Sequence, residues 1–539
     1  MTSTMSRFCI AAVALLLAAL AARAAEDDVL IADFDGKDYG TWKVEGEAFG
    51  PGPAQGTLPH QMPVSGYLGH GLVNSMSNQR EAEEIVTTPL YRETWRPQFH
   101  FTAAKNWLND PNGCVFYKGE WHLFFQHNPV GLGWGDMTWG HAVSPDLVHW
   151  EQLPNAIEPD AFGQIWSGSA VVDWNNTAGF QKGDEKTLVA IYTAAGSKTE
   201  ASKGKPFTQC ITYSTDRGRT WTKYEKNPVL GHVVGENRDP KLAWHAPTKQ
   251  WIMALFKDGD TYAFFASPDL KAWTHLEDHK VPGCGECPDF FEMPVDGDKS
   301  HTRWVFTAAN GRYFVGTFDG KHFAPETKDA LPEDWGANYY AVQTWSDVPP
   351  EEGRRIQIAW MNGGQYPKMP FNQQMSFPCE LKLRAFPEGL RICRTPVKEI
   401  ERLHDKEFSW KDVKVETGKP LPMDIPGDLF DIRAEIDVGD AAEVVLKFRG
   451  ESIRYVIKDK KLTCLGREGP LEPVAGRIQF QVLVDRTSIE VFGNDGRLSM
   501  TSCFLPRDRS QSFSVVGGAA KLVSLKVWTL KSAWGEGGR

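Results

Sequence analysis

The sequence has little of what would carry the chain onto nucleic acid or into a membrane. Lys and Arg number 59 against 69 Asp and Glu, a net charge of −10 that argues against nucleic acid and anionic membrane surfaces as partners. After residue 24, no apolar stretch reaches the roughly 20 residues that a membrane-spanning helix needs. The 9 cysteines are scattered, and no second pair or His cluster accompanies Cys284-Gly285-Glu286-Cys287 to complete a zinc site. We therefore predict no metal and no other cofactor.

The first 24 residues have the pattern of a secretory signal peptide. Arg7 precedes an apolar stretch from Ile10 to Ala22, and Ala22-Arg23-Ala24 offers a small-residue cleavage site. This pattern predicts a protein secreted to the periplasm or the extracellular space. The roughly 515 residues that follow are too many for one hydrophobic core, which predicts two or three domains.

Long helical periodicity is also missing, and short strands separated by turns take its place. A turn motif with an early Ser or Thr, a central Asp and a closing aromatic residue recurs along the chain. Its four copies are Ser144–Trp150, Ser214–Trp221, Ser267–Trp273 and the degenerate Thr317–Phe323, spaced 70, 53 and 50 residues apart. A period near 50 with about four strands in each unit is typical of a β-propeller. A stacked sandwich is the alternative, although it rarely repeats a turn motif at this interval.

Tryptophan is abundant, with 20 residues, and exposed aromatic rings stack on sugar faces. In particular, Trp107 begins the segment Trp107–Gly113, in which Pro111 fixes its own φ and biases Asp110 toward an extended backbone. We expect a tight turn at Asn112-Gly113, followed by a strand over Cys114–Tyr117. Such a turn would aim one carboxylate, as a sugar-cleaving site requires.

Five short segments lie at the same phase of successive units, just before the first strand of each. They are Asn109-Asp110-Pro111, Ser167-Gly168-Ser169, Arg238-Asp239-Pro240, Cys287-Pro288-Asp289 and Tyr339-Tyr340-Ala341. The first strand of each propeller blade lines the central channel, so these segments should converge at one mouth. Asp110, Asp239 and Glu286 are therefore candidate catalytic acids, although each alone also suits a turn or a solvated loop. We expect Arg238 to lower the pKa of Asp239 by charge pairing.

The chain resembles glycoside hydrolase family 32, the invertases, inulinases and levanases. The hallmark segments W-x-N-D-P-N-G, R-D-P and E-C-P of that family stand here as Trp107–Gly113, Arg238–Pro240 and Glu286–Pro288. The resemblance covers roughly residues 95–530 and includes Val484–Phe492, which is similar to the C-terminal signature of the family. It implies an all-β fold, with a five-bladed β-propeller over residues 96–385 and a C-terminal β-sandwich over 396–539.

The resemblance also implies roles for individual residues. Asp110 would be the nucleophile, Glu286 the general acid and base, and Asp239 the transition-state stabiliser of a retaining glycosidase. The positions that match the sugar pocket are Asn109, Gln126, Trp134, Trp166, Ser167, Arg238 and Trp335. Within the sandwich, we predict Asp485 and Glu490 to be turn and edge residues rather than catalytic ones.

The implied reaction is exo-acting hydrolysis of terminal β-D-fructofuranosyl linkages in levan or inulin, and also in sucrose. The partner is then a fructan or fructo-oligosaccharide, and the oligomeric state is open. Two alternatives are an arabinanase-type glycosidase with five blades and a non-catalytic sugar-binding protein on the same fold. The intact acids and the sandwich signature favour the fructosidase.

Residues 25–95 are predicted to be an N-terminal extension or a partial jelly-roll-like module. Ile31–Asp35 and Trp42–Gly46 look like strands, and the Gly- and Pro-rich Phe49–Pro63 follows them. This stretch is too short for a complete sugar-binding module, so a simple extension of the propeller is the other interpretation.

Overall fold

The computed structural model of the chain describes residues 34–45, 49, 52–54, 69–73, 89–349 and 351–535. The chain divides into two compact units, 1–87 and 88–539. The predicted signal peptide lies outside the described residues. Within the part of the chain that the structure describes, no helix is long and apolar enough to span a bilayer.

The described residues of the first unit form turns and one isolated bridge between Ala54 and Leu72. Asp35 accepts hydrogen bonds from the backbone N–H groups of His70 and Gly71 at 2.5 and 2.7 Å. The described residues 42–45 form no strand, so the strand predicted there is wrong. These residues are mostly exposed, and they leave no buried face against which a strand would pack.

The second unit takes in the last residues of the predicted N-terminal segment. Tyr91 stacks on Trp534, with ring centroids 4.2 Å apart, and Glu93 forms a buried ion pair with Arg96. The unit is built almost entirely of strands, and its described part has two short 3₁₀ helices, Glu200–Ser202 and Lys398–Leu403.

Twenty-two strands form the N-terminal part of this unit. They are β1 (Asn106–Tyr117), β2 (Glu120–Asn128), β3 (Thr138–Ser144), β4 (Glu151–Ile157), β5 (Gln164–Asp173), β6 (Thr187–Ala195), β7 (Thr208–Ser214), β8 (Thr222–Lys223), β9 (Arg238–His245), β10 (Gln250–Asp258), β11 (Thr261–Ser267), β12 (Thr274–Lys280), β13 (Asp289–Val295), β14 (Asp298–Thr307), β15 (Arg312–Phe318), β16 (Phe323–Pro325), β17 (Leu331–Pro332), β18 (Tyr340–Thr344), β19 (Arg355–Trp360), β20 (Phe371–Asn372), β21 (Cys379–Phe386) and β22 (Gly389–Pro396).

These strands form antiparallel groups arranged around a channel. β1 to β4 make one sheet, to which β20 adds beside β1, while β5 to β8 and β9 to β12 make two more. The groups begun by β13 and β18 share a nine-stranded sheet, joined by a parallel pair of β13 and β21. The inner strands β1, β5, β9, β13 and β18 contact one another in that order, and β18 contacts β1. This closed ring is a β-propeller.

The recurring turn motif connects the outer strands of its units. Asp146 accepts backbone hydrogen bonds from Val148 and His149 at 3.1 and 2.9 Å, and Asp269 does the same for the two matching residues of its copy. Trp150 closes the first copy and is buried. The predicted Asp-centred turn, pinned by an aromatic residue, is confirmed.

Twelve strands form two six-stranded sheets in the C-terminal part. They are β23 (His404–Glu416), β24 (Leu421–Pro422), β25 (Phe430–Asp437), β26 (Glu443–Phe448), β27 (Glu451–Val456), β28 (Lys461–Cys464), β29 (Arg467–Pro470), β30 (Arg477–Val484), β31 (Ser488–Gly493), β32 (Leu498–Cys503), β33 (Ser512–Val516) and β34 (Ala519–Leu530).

Both sheets bury alternate apolar side chains in one shared core, as a β-sandwich requires. Ile432 and Val482 come from one sheet, and Leu446 and Tyr455 from the other. A second apolar cluster joins residues of the propeller and of the sandwich, so the two domains share a continuous core. The prediction of an all-β chain with a propeller followed by a sandwich is confirmed.

Candidate active site

A cavity of about 280 Å³ opens where the inner strands of the propeller begin. Its lining combines four carboxylates, one guanidinium group and five aromatic or amide side chains with a serine and a tyrosine. The lining residues are Asn109, Asp110, Gln126, Trp134, Trp166, Ser167, Glu236, Arg238, Asp239, Glu286, Tyr340 and Trp360. The segments predicted to share one phase of the repeat therefore meet at one place.

Irregular strand pairing aims several of these side chains into the cavity. The ladder between β1 and β2 shifts register on both sides of Pro111, and those of β5, β9 and β18 shift near Ser167, Asp239 and Tyr340. A β-bulge lets a strand bend and re-aim a side chain without ending the sheet. The site is therefore formed by local bulges within continuous strands of the propeller.

The predicted tight turn at Asn112-Gly113 is instead part of strand β1. Pro111 has no N–H to donate to the ladder. The bulges on either side of it accommodate the missing hydrogen bond, and the strand continues. Gly113 has a φ of +53°, and a Cβ there would lie 2.6 Å from the ring of Phe124. The segment stiffens Asp110 as expected, but by a bulged strand rather than by a turn.

Asp110 is held by hydrogen bonds to both of its carboxylate oxygens. Ser167 Oγ donates to Oδ2 at 2.5 Å, and Asn109 Nδ2 donates to Oδ1 at 3.0 Å. Trp107 Nε1 donates to the amide oxygen of Asn109 at 2.8 Å, which fixes the amide group. Burial raises the pKa of Asp110, and the charge of Glu286 adds to this effect, while the hydrogen bonds oppose it.

Asp239 has a left-handed backbone, with a φ of +63°, a conformation that costs a non-glycine residue energy. Its N–H donates to Thr193 Oγ1 at 3.0 Å, and its carboxylate accepts the N–H of Cys287 at 3.0 Å. Burial raises the pKa of Asp239 to about 7, and the neighbouring charge of Arg238 only partly opposes it. Arg238 does lower this pKa by its charge, as expected, but the loss of solvation is the larger effect and the net pKa is raised.

Glu286 accepts hydrogen bonds on both carboxylate oxygens. Arg238 donates to Oε1 at 2.8 Å, and the hydroxyl group of Tyr340 donates to Oε2. Its backbone is left-handed, with a φ of +60°, and its carbonyl oxygen accepts from Tyr262 Oη at 3.1 Å and from the N–H of Ala309 at 3.2 Å. These two donors fix the peptide in the orientation that turns the carboxylate into the cavity.

Cys287 lies between the other two acids. Its Sγ is 3.5 Å from Asp110 Oδ2 and 3.6 Å from Asp239 Oδ2. Burial raises the pKa of this thiol well above its usual value, and the surrounding carboxylates raise it further. The group is therefore a neutral S–H donor to carboxylate oxygens and not a thiolate.

Aromatic rings form the rest of the wall. Trp134 and Trp166 meet edge to face, with centroids 5.6 Å apart, and Trp134 is 53% exposed. On another side, Trp360 lies edge to face with Tyr340 at 6.2 Å and with Trp107 at 6.0 Å. Rigid apolar faces beside directed carboxylates are suited to a sugar ring. Within the described residues, no group of three or more His, Cys, Asp or Glu side chains is arranged to hold a metal ion.

Comparisons with known proteins agree with this arrangement. The family description "Glycosyl hydrolases family 32 N-terminal domain" matches residues 100–396, and "Glycosyl hydrolases family 32 C terminal" matches 399–529. The chain belongs to glycosyl hydrolase family 32. It is a glycoside hydrolase.

Individual members of family 32 are similar over most of the chain. A levanase of Bacillus subtilis (strain 168) is 42% identical over 84% of this chain and 73% of its own length. An extracellular exo-inulinase of Aspergillus ficuum is 30% identical over 82% of this chain and 96% of its own. The crystal structure of an exo-inulinase from Aspergillus awamori superimposes with a TM-score of 0.74 at 28% identity, covering 82% of this chain and 100% of its own.

The fold of this family 32 chain brings together all but one of the predicted site residues. Trp335 lies elsewhere: its N–H donates to the carbonyl of Ser499 in the sandwich at 2.8 Å, and its ring packs over Gly469. It therefore contacts the sandwich and does not line the cavity. The cavity of this hydrolase also includes Glu236, which was not predicted.

Tyr340 and Trp360 are further lining residues to which sequence reasoning gave no role. Tyr340 stood at the fifth repeat phase, so its position carried a signal. Neither side chain is an acid, so the pattern that singled out the catalytic carboxylates did not include them. Glu236 had no signal of its own beyond its place two residues before Arg238.

Proposed function

We propose that the chain is a retaining, exo-acting β-fructofuranosidase that removes terminal fructosyl units from levan or inulin and also cleaves sucrose. The observation that carries this proposal is the convergence of Asp110, Asp239 and Glu286 on one cavity, each with its own set of donors. The levanase and exo-inulinase relatives support the substrate class.

In the first step, Asp110 attacks the anomeric carbon of the bound fructosyl unit. The bond from that carbon to the leaving oxygen breaks, and the oxygen takes the proton of Glu286 together with the electron pair of the bond. The product is a fructosyl ester of Asp110. Ser167 and Asn109 orient this carboxylate, so that little reorganisation is needed at the moment of attack.

In the second step, the carboxylate of Glu286 takes a proton from water, and the water oxygen attacks the same carbon. The ester bond to Asp110 breaks, and its electron pair returns to the carboxylate. Two inversions at one carbon give net retention. Arg238 and Tyr340 donate to Glu286 and hold it in place as it alternates between acid and base.

Asp239 has a different part in this scheme. With a pKa of about 7, it is present as both carboxyl and carboxylate near neutral pH, and it can donate to or accept from a sugar hydroxyl group. Hydrogen bonds to ring hydroxyl groups that strengthen as positive charge develops on the sugar stabilise the transition state.

The size and walls of the cavity favour attack on a chain end. Its volume of about 280 Å³ is just below the roughly 300 to 1,000 Å³ of typical small-molecule pockets. Trp134, Trp166 and Trp360 limit the space to a few sugar units rather than an open groove. Free fructose is then the first product.

Product analysis tests the proposal most directly. The enzyme would be incubated with sucrose, inulin and levan, with arabinan as a control, and early products followed by chromatography and proton NMR. We expect fructose from the first time points, released initially as the β-anomer. Early oligosaccharides without fructose would contradict exo attack, initial α-anomer would contradict retention, and activity on arabinan alone would favour the arabinanase alternative.

We also propose that residues 1–24 direct export and are removed. The relative from Aspergillus ficuum is described as extracellular, which supports a secreted enzyme. N-terminal sequencing of the enzyme recovered from the periplasm or medium should find a start at Ala25 or close to it. An intact N-terminus on cytoplasmic protein would contradict export.

A further inference from the structure

The segment 334–338, here called the bridging segment, connects β17 to β18 and lies along strand β32 of the sandwich. The N–H of Trp335 donates to the carbonyl of Ser499 at 2.8 Å, and the N–H of Asn338 donates to that of Thr501 at 3.0 Å. A piece of the propeller is therefore bonded to a strand of the other domain directly before the active-site strand β18.

The contact between the bridging segment and β32 is close. A Cβ on Gly336 would lie 2.0 Å from the carbonyl oxygen of Thr501. Asp334 accepts from the N–H of Gly336 at 2.7 Å and from the N–H and the hydroxyl of Thr501 at 3.0 and 2.9 Å. Arg394 pairs with Asp334 at 2.8 Å, and both side chains are 1% exposed. The segment is thus held by β32 of the sandwich and, through Asp334, by Arg394 of β22.

Asn338 connects this contact to two walls of the cavity. Its Oδ1 accepts from the N–H of Cys503 in β32 at 2.8 Å, and its Nδ2 donates to the carbonyl of Asn362. Asn338 stands two residues before Tyr340, and Asn362 stands two residues after Trp360. The side chain of Asn338 therefore connects β32 both to the segment that precedes Tyr340 and to the segment that follows Trp360.

The strand ladder itself gives Tyr340 little support. Tyr340 pairs with Trp360, but the register then shifts before Gln343, and Ala341 has a φ of +52°. The hydroxyl of Tyr340 must nevertheless reach Oε2 of Glu286. A residue beside a bulge is positioned by its other contacts, and here those contacts lead to β32.

We propose that the sandwich acts as part of the catalytic apparatus, with Asn338 as the positioning residue that sets Tyr340 against the acid–base carboxylate Glu286. The proposal rests on the assignment of Glu286 in the proposed function. Asn338 contacts no reacting atom, and it acts through the tyrosine hydroxyl. The hydroxyl group of Tyr340 donates to Oε2 of Glu286, so a displaced tyrosine would leave this carboxylate without one of its two positioning donors.

The test compares full-length wild-type enzyme with Asn338→Ala in kcat and KM for sucrose between pH 4 and 9. We expect kcat to fall about tenfold with a smaller change in KM, because misplacing a catalytic group by a fraction of an ångström has effects of this order. Leu462→Ala, on β28 in the sandwich core, is the control for lost stability.

A double-mutant cycle with Tyr340→Phe then locates the effect. If Asn338 acts through the tyrosine, Asn338→Ala lowers kcat no further in the Tyr340→Phe background. Additive losses of kcat, or kcat and KM values for Asn338→Ala that equal those of Leu462→Ala, would overturn the proposal. Should Asn338→Ala fail to fold, Gly336→Ala displaces the same segment by its clash with Thr501, and the same outcomes apply.

Glu286→Gln separates this proposal from the assignment on which it rests. If that variant keeps wild-type activity, the proposed role of Glu286 is wrong. If it is inactive while Asn338→Ala matches Leu462→Ala, only the positioning role is wrong.

Discussion

The candidate active-site cavity and the boundary between propeller and sandwich both bury several carboxylates, but they are built in opposite ways. At the boundary, the ring nitrogens of His100 lie 2.9 Å from Asp485 and 2.8 Å from Glu490. Burial lowers the pKa of His100, but hydrogen bonds to these carboxylates and their charges outweigh it and raise the pKa to about 9. The imidazolium is therefore stable at neutral pH.

The acids of the boundary also receive many neutral donors. Asp485 accepts backbone N–H groups from Gln98, Phe99 and His100 at 2.8 to 3.3 Å. Glu490 lies on β31, between β30 and β32, so the prediction that it is an edge residue is wrong. Asp485 is in a turn as predicted, but it is fully buried because it binds the chain that enters the propeller.

In the cavity, by contrast, Asp239 and Glu286 share the cation Arg238, and Asp110 is held by the neutral donors Ser167 and Asn109. Burial and mutual repulsion raise the pKa values of Asp110 and Asp239, and two of the three acids have left-handed backbones. The boundary stabilises the fold by matching its charges, whereas the cavity keeps unmatched charge for a substrate. Four substitutions test this contrast.

The largest effect is expected from Asp110→Ala. Loss of the nucleophile should lower kcat for sucrose by roughly 10⁴-fold or more, as removal of a catalytic nucleophile does in other hydrolases. The fold should remain intact, as judged by circular dichroism and thermal unfolding. Asp269→Ala, in a turn between the outer strands β11 and β12, is the matched control and should keep its activity. A residual rate above about a tenth of wild type would rule out the nucleophile assignment.

His100→Gln should be the most destabilising. It leaves two buried carboxylates without their cation, which costs on the order of 3 to 5 kcal/mol in the free energy of unfolding. Because the folded pKa lies above the unfolded value, this stabilisation is fully present below about pH 6.5 and is lost as pH rises through about 9. Urea unfolding at pH 6, 7.5 and 9.5 measures both effects. The variant should lack the decline in that window, and an equal decline would disprove the role of His100.

Asp239→Asn should stabilise the fold at neutral pH, whereas His100→Gln destabilises it. A buried carboxyl whose folded pKa is raised to about 7 makes the fold less stable as pH rises from about 4 to 7. Replacing it by a neutral amide should increase the free energy of unfolding at pH 7 by on the order of 2 to 4 kcal/mol and by much less at pH 4. Activity should fall sharply. Equal changes in stability at both pH values would contradict the raised pKa.

Arg454→Ala measures what an exposed ion pair contributes to stability, for comparison with the buried charges of the cavity and of the boundary. This residue pairs with Glu443 on the sandwich surface at 2.7 Å, where the Arg side chain is 48% exposed. Its loss should change the free energy of unfolding by less than about 1 kcal/mol, since solvent screens an exposed pair. The same urea experiment at pH 7 measures it, and a loss as large as that of His100→Gln would remove the contrast between buried and exposed pairs.

The turns and the meeting of the three acids could be predicted, because the interactions between residues close along the chain favour the same structure as the tertiary contacts. The Asp-centred turns depend on hydrogen bonds within a few residues, so Asp146 and its equivalents could be assigned from sequence alone. Likewise, the phase of Asp110, Asp239 and Glu286 in the repeat predicted that they meet. The bulged course of β1 could not be predicted, because whether N-D-P-N-G turns or continues depends on the neighbouring strand β2.

The sequence by itself determined the repeat, the strand pattern, the family motifs and the identity of the three acids, because each is written in residues that are close along the chain. Only the tertiary structure decided which charges are matched. The pKa of Asp239 depends on how deeply the closed ring buries it, and the burial of Asp485 and Glu490 depends on contact with His100 almost 400 residues away. Trp335 likewise packs on the sandwich rather than in the cavity, because the bridging segment belongs to both domains at once.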